Sequence, residues 1–338
     1  MKQSKEPPKV LAAVDVGSRE LVLALQRDGQ LEARRTLPNT PAAHRELVKL
    51  LTRRGAHARV CLEATGVYSL RLALALQRAA RVEVMVVNPR AIKDFQRARL
   101  CRAKTDPVDA LGILEFLQRM EFVPWRPPTD AVLALQQLGR RLVQLGGELT
   151  REEARLHAIA YTPDRDGLIA ADLTANIRHL KKRIKALQQA AAELAAREPE
   201  LASQLERLCS VPGIGQVSAL RLLGELLVLP KELKAKQWVA HAGLDPRPRQ
   251  SGTKDAPRHI SRTGNRHLRH ALFMPALVAI QRSQQIQATY EALLARGKKK
   301  KVAIIAIMRR LLHAIWGMLH HQQDFNPLLF HASPPTNS

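Results

Sequence analysis

The chain has 338 residues, enough for two domains of ordinary size, and is 46% hydrophobic but only 4% aromatic, with Leu and Ala dominant. That composition favours helix and argues against an all-β sandwich. Lys plus Arg number 54 against 30 Asp plus Glu, a formal net charge of +24 with a pI near 10.9. Such a field recruits polyanions, nucleic acid before an anionic membrane.

No run of about 18 apolar residues is present to span a bilayer, and polar Met1 to Lys9 carries no apolar signal core. Cys61, Cys101 and Cys209 fit no CxxC spacing. A zinc site or disulfide framework is therefore not expected, and the expected compartment is a reducing cytoplasm.

In chain order, Val10–Asp15, Glu20–Leu25 and Gln30–Leu37 read as three strands, with Gly29 as the hairpin signal between the last two. A helix follows, with Thr40 as its N-cap and Pro41 in its first position. Ala58–Glu63 and Val82–Asn88 read as strands with a Leu/Ala helix between them, and Pro89 opens another helix. Three strands in a meander, then helix, strand, helix, strand, helix, is the element order of a ribonuclease-H-like α/β fold, expected over 1–128. Pro124-Trp125-Arg126-Pro127-Pro128 reads as a boundary.

Over 129–200 the apolar positions Leu135, Leu138, Leu142, Leu145, Leu149, Leu156 and Ile159 keep heptad spacing. Leu173, Ile177, Leu180, Ile184, Leu187, Ala191 and Leu194 do so again. Two such helices imply an antiparallel hairpin, a dimerising coiled coil, or both; a bundle within one subunit is the plainer alternative. From 201 to 330 the chain reads as mainly helical, with one irregular basic region over Gly243–Asn265. Lys298–Lys301 reads as a solvated charge run, and 331–338 as a disordered tail.

Two constellations carry chemistry. Asp15 closes the first strand and Glu63 the fourth, and these strands are neighbours in a ribonuclease-H-like sheet. Lys104-Thr105-Asp106-Pro107-Val108-Asp109 then opens a helix, with Asp106 at the cap and Asp109 on its third position. Asp-Pro-x-Asp is also an ordinary helix start. Four clustered carboxylates would repel one another unless a cation neutralises them. Hard oxygen donors suit Mg²⁺ or Mn²⁺ rather than Zn²⁺, and two such ions can hold both oxygens of an in-line phosphoryl displacement.

In the C-terminal half, Pro212-Gly213-Ile214-Gly215 resembles the turn of a helix-hairpin-helix element, where Gly213 and Gly215 would let backbone N–H groups approach a phosphate; a glycine-rich connector is the alternative. Ser251-Gly252 in a basic loop with Lys254 is a nucleophile or phosphate clamp, or simply a loop. Ser261 reads as a cap or phosphate contact. Arg262, Asn265, Arg266 and Arg269 feed the following helix as backbone-phosphate contacts. No GxSxG elbow supports a Ser-His-Asp hydrolase.

Together these motifs resemble the insertion-sequence one-ten transposases, relatives of the Piv DNA invertase. The resemblance rests on Asp15-Val16-Gly17-Ser18, Glu63-Ala64-Thr65-Gly66-Val67-Tyr68, Val87-Asn88-Pro89 and Lys104 to Ala110. In the C-terminal half it rests on Val211-Pro212-Gly213-Ile214-Gly215, Ala242 to Pro246, Ser251-Gly252 and Ile260 to Asn265 with Leu268-Arg269. It covers nearly the whole chain in order. It implies a RuvC-like domain whose DEDD acids are Asp15, Glu63, Asp106 and Asp109, and a transposase domain whose nucleophile is Ser251. It further implies a covalent 5′-phosphoserine link, Mg²⁺ assistance with the acids of a partner subunit, homo-oligomers (a dimer, or a tetramer on DNA), and a bridge RNA that selects the DNA. The rival expectations are a Holliday-junction-type nuclease on the same acids, without a covalent intermediate, and a catalytically inactive nucleic-acid-binding scaffold.

Overall fold

The computed structural model describes residues 9–64, 66–99, 106–163, 167–247, 250–251, 254–255 and 259–330. The side chains of Asp106, Ser251 and Lys254 lie outside that description, as do Lys104 and the expected tail. The chain divides into two compact units, Met1–Pro127 and Pro128–Ser338.

The first unit is built on a five-stranded sheet of order β3-β2-β1-β4-β5. β1 (Val10–Val16), β2 (Glu20–Arg27) and β3 (Gln30–Pro38) form an antiparallel meander, while β4 (Ala58–Glu63) lies parallel to β1 and β5 (Val82–Val87) parallel to β4. This mixed sheet is compatible with the expected ribonuclease-H-like domain. Side chains alternate across it. Val10, Ala12 and Val14 of β1, with Val60 and Leu62 of β4, bury one face against α1 (Pro41–Leu51) and α2 (Val67–Gln77). Ala13, Cys61, Met85 and Val87 bury the other against α3 (Pro89–Ala98) and α4 (Asp106–Arg119). Helix starts are set locally, as read from sequence. Thr40 accepts from the Ala43 N–H ahead of Pro41, and Asn88 accepts from Arg90 N–H ahead of Pro89.

The second unit is helical apart from one ribbon. α5 (Asp130–Ile159) and α6 (Leu168–Arg197) pack along each other. Leu135 near the start of α5 shares a core with Ala191 and Ala195 near the end of α6, so the pair is antiparallel. Four of the five buried positions on α6, Leu173, Ile177, Leu180 and Ala191, are those of the heptad pattern; the fifth, Ala195, is not. The same core continues into α7 (Pro199–Cys209), α8 (Gln216–Leu226), α9 (Ala235–His241), α10 (Arg266–Arg282), α11 (Gln284–Ala295) and α12 (Lys300–His321). α5 crosses α8 at Gly139 and Gly224, where an added Cβ on Gly224 would stand 2.9 Å from the Gln136 Cα. α12 is long and apolar enough by composition to cross a membrane. Here its apolar residues Ala303, Ile307, Leu311, Leu312 and Ile315 are the core of the unit, and Arg309-Arg310 interrupt the run.

One sequence expectation is sharpened. The irregular basic region Gly243–Asn265 contains short paired strands among its described residues. β6 (Pro246–Arg247) pairs with β9 (His259–Ile260), and β7 (Gln250–Ser251) with β8 (Lys254–Asp255), both antiparallel. Pro, Arg, Gln and Asp are poor strand formers. The ribbon is therefore set by its cross-chain pairing rather than by propensity.

Candidate active site

Asp15 and Glu63 reach one edge of the sheet because β1 and β4 are adjacent and parallel. Their register runs to Val14↔Leu62, so the two acids are the next residue on each strand. Alternation puts both on the face of Ala13 and Cys61, the face that α4 covers. Both are half-buried, and both are engaged in interactions within the fold. Cys61 lies beneath them, with its thiol pushed up to about 12 by burial and by the charge of Glu63.

The direction of α4 follows from two contacts. Near its start, Ala110 lines a small cavity with Val22 and Ala24 of β2. Near its end, Gln118 Nε2 donates to Gln26 Oε1 at 2.6 Å. Val22 pairs with Asp15, whereas Gln26 pairs with Leu11. The helix therefore starts at the Asp15 edge, which brings the half-buried Asp109, one residue before Ala110, to that edge. Asp106 is the first residue of α4, one position inside the cap read from sequence, which is within the usual spread for helix ends.

The chemistry of this donor set is uniform: Asp15, Glu63 and Asp109 offer only carboxylate oxygens, which fit a hard divalent cation. Among the described residues no three His, Cys, Asp or Glu side chains close around a single point; the Asp106 side chain lies outside those residues.

Sequence reasoning missed Asn39. Its amide donates to Gly17 O at 2.9 Å and to Tyr68 O at 3.3 Å, tying the exit of β1 to the start of α2. His44 Nε2 lies 2.8 Å from Asn39 Oδ1 and locks it. Burial, then the charge of Arg71, lowers the pKa of His44. Gly17 lies two residues after Asp15 and Tyr68 five after Glu63, so Asn39 braces the segments that leave the acid edge. A lone Asn in a turn gives no sequence signal for this.

In the second unit, the described residues between His241 and Asn265 pair across the segment. Asn265 N–H donates to His241 O at 2.7 Å, Arg262 N–H to Gly243 O at 3.1 Å, and Ser261 N–H to Asp245 O at 2.9 Å. Pro246↔Ile260 and Arg247↔His259 form one short ladder, and Gln250↔Asp255 and Ser251↔Lys254 another. Ser251 is thus paired directly with Lys254.

The base of the hairpin is rigid. Glu225 of α8 is buried, and Arg140 of α5 grips it with Nε to Oε1 at 2.7 Å and Nη2 to Oε2 at 2.9 Å. The Asn265 amide donates to the same carboxylate at 2.7 Å, while its Oδ1 caps α10 through the N–H groups of His267 and Leu268. Burial alone would raise the Glu225 pKa; the hydrogen bonds from Arg140 and Asn265 and the charges of Arg140 and His267 outweigh it, so the pKa is lowered. Burial lowers the pKa values of His241 and His267 beside it.

The residues expected to contact phosphate fall into two sets. Asn265 and Arg269 are engaged inward, Arg269 Nη1 donating to Ala242 O at 2.8 Å and Gly264 O at 3.1 Å. Arg262, at φ +53°, and Arg266 are exposed. Gly213 (φ +93°) presses on α10, where an added Cβ would meet Ala279 N at 2.5 Å. Gly215 is exposed, with nothing near an added Cβ, and heads α8 without a side-chain cap. Ser261 Oγ donates to Asp245 Oδ1 at 2.5 Å, an internal clasp.

Comparison with known proteins places this arrangement. Residues 12–161 match a family of DEDD transposases of the IS110 type, described as Transposase, and residues 205–291 match the Transposase IS116/IS110/IS902 family. The chain is 32% identical over 273 residues to the pilin gene-inverting protein of Moraxella bovis, covering 78% of this chain and 81% of that one. It is 28% identical to a putative transposase of Sinorhizobium fredii, covering 71% and 72% of the two chains. It is 26% identical to the transposase for insertion sequence element IS1328 of Yersinia enterocolitica, covering 59% and 65%. A mixed sheet with acids at one edge and a basic helical unit thus define a DNA recombinase of the transposase class. The chain belongs to the IS110 family of transposases.

Proposed function

We propose that this transposase cuts and rejoins DNA through Ser251, with Asp15, Glu63, Asp106 and Asp109 holding Mg²⁺ or Mn²⁺. The observation that carries the reading is the meeting of Asp15, Glu63 and the start of α4 at one sheet edge, in a chain of this family.

A serine hydroxyl is a weak nucleophile and must lose its proton as it attacks. In the proposed step Ser251 Oγ bonds to phosphorus, the bond from phosphorus to the 3′ oxygen breaks, and that oxygen leaves as a hydroxyl carrying the proton. The DNA 5′ end is then a phosphoserine ester. Attack by the 3′ hydroxyl of a different strand reverses these steps and frees Ser251. One phosphoester bond replaces another, so no nucleotide cofactor is needed. A bound divalent ion would supply neutralisation of the charge developing on the phosphate oxygens. Lys254, opposite Ser251, and exposed Arg262 and Arg266 would hold the DNA backbone, with Gly215 and the head of α8 as a helix-hairpin-helix-type contact.

The reaction class is that named for the Moraxella bovis relative, gene inversion, or its counterpart, transposition. The reading extends to a homo-oligomer joined through α5 and α6 as a coiled coil, and to a bridge RNA that selects the DNA. The decisive experiment is a denaturing gel of the protein incubated with element-end DNA and Mg²⁺. A covalent protein–DNA adduct is expected from the natural chain and none from Ser251→Ala. An adduct persisting in that variant overturns Ser251 as nucleophile, and cleavage without any adduct favours a nuclease using water.

A further inference from the structure

Apart from both regions, the second unit holds a cavity of about 470 Å³, a size typical of ligand sites. One wall is polar and comes from α7, where Glu200, Ser203, Gln204 and Arg207 fall on a single helical stripe. Another is aromatic. Trp316 of α12 stacks on His320, with ring centroids 4.5 Å apart and planes 15° apart. Its indole N–H donates to Leu233 O at 2.8 Å, which sets the plane of the ring. Trp238 of α9 also lines the cavity. It is only 8% exposed, and its Nε1 is buried without a hydrogen-bond partner among the described residues.

Each part of this lining has a match in one chemical class. Indole and imidazole rings take the face of a base, the polar stripe reads its edge, and Arg207 and Lys231 take the phosphate. Bases stacked inside a duplex do not offer their faces. We propose that this cavity binds one unpaired nucleotide of a single-stranded nucleic-acid segment. The proposal rests on the reading that the chain acts on nucleic acid, but not on Ser251 or the acids.

The test uses the chain's three tryptophans. Trp125 lies in the first unit, so in full-length Trp125→Phe the remaining fluorescence comes from the two cavity rings. Oligo-U RNA, oligo-dU DNA and a duplex of equal length are titrated, with labelled-oligonucleotide anisotropy reporting binding and tryptophan emission reporting the cavity. Single strands should change the emission saturably, while the duplex binds without changing it. His320→Ala, at an exposed position, and Arg207→Ala, at a half-buried one outside the core, should each raise the single-strand midpoint about tenfold and shift duplex binding far less. A lower midpoint for oligo-U than oligo-dU supports an RNA strand read through its 2′-hydroxyl, and equal midpoints support recognition of the base alone. Single-strand binding with unchanged emission, equal changes with duplex, or natural midpoints in both variants overturn the cavity assignment alone. Failure to bind any oligonucleotide overturns the nucleic-acid reading with it.

Discussion

Asp15 is the penultimate residue of β1 and Glu63 the last of β4, two strands with partners on both sides, whereas Ser251 lies on β7, which among the described residues pairs with β8 alone. The acids are placed by long-range register, helix packing and the Asn39 brace. The serine lies in short antiparallel pairings beyond a base that joins His241 to Asn265 and is anchored by Glu225. Groups that hold a cation need fixed mutual geometry, which a sheet supplies. A group that must meet a phosphate on a polymer needs reach, which a ribbon supplies, and the rigidity is moved to its base.

The largest effect expected from this contrast is on chemistry alone. Asp15→Ala or Glu63→Ala should reduce strand cleavage to background while DNA binding by mobility shift stays near that of the natural chain. Cleavage undiminished in both would remove the sheet edge from the reaction. Next comes the base of the ribbon. An alanine Cβ at Gly264 would stand 2.1 Å from His241 O and 2.7 Å from Gly243 N. Gly264→Ala should cost about 3 kcal/mol in urea unfolding and suppress adduct formation by Ser251 below the melting temperature. Normal adduct yield would show that the tip does not depend on its base.

Glu225→Ala leaves Arg140 and the Asn265 amide without their acceptor and should cost about 3 kcal/mol; Glu225→Gln, which retains an amide oxygen, should cost less. Acid should act the same way. The lowered Glu225 pKa means its stabilisation is full above the ordinary carboxylate value of 4.5 and is lost as pH falls below it. His241 and His267, also lowered, are held neutral, so their contribution is full above 6.5 and declines as pH falls below that value. The second unit should therefore begin to lose stability below about pH 6.5 and lose more below 4.5, read by thermal melts across pH; a flat profile from pH 7 to 4 would contradict the buried network. The smallest effect is at Gly29, open to solvent at φ +85°. Gly29→Ala should cost about 1 kcal/mol through backbone strain alone, with cleavage intact.

Much of the first unit was legible because its signals are local. Thr40-Pro41 and Asn88-Pro89 mark helix starts, and Ala58–Glu63 was read to the residue. Of the heptad positions, Leu135, Leu142 and Leu145 of α5 and Leu173, Ile177, Leu180 and Ala191 of α6 are buried. What stayed hidden depends on partners distant in sequence. The ribbon was unreadable because Pro246 and Arg247 find their pairs 12 to 14 residues later and carry no strand propensity. Glu225 carries no local signal for its role, because Arg140 lies 85 residues before it and Asn265 40 after. Asn265 and Arg269 looked like outward contacts because a sequence shows charge and polarity but not which way a helix faces.

The sequence by itself determined the charge of +24, the strand and helix order of the sheet unit, and which acids and serine are the candidates, since these are written in composition, period-2 and period-3.6 patterns and short motifs. Only the tertiary structure decided that α4 begins at the Asp15 edge, that Ser251 pairs with Lys254, and that Glu225 anchors the junction of His241 and Asn265. Each of these is a pairing between segments far apart in the chain. Such pairings arise when cores close and buried polar groups must find partners, which no local pattern encodes.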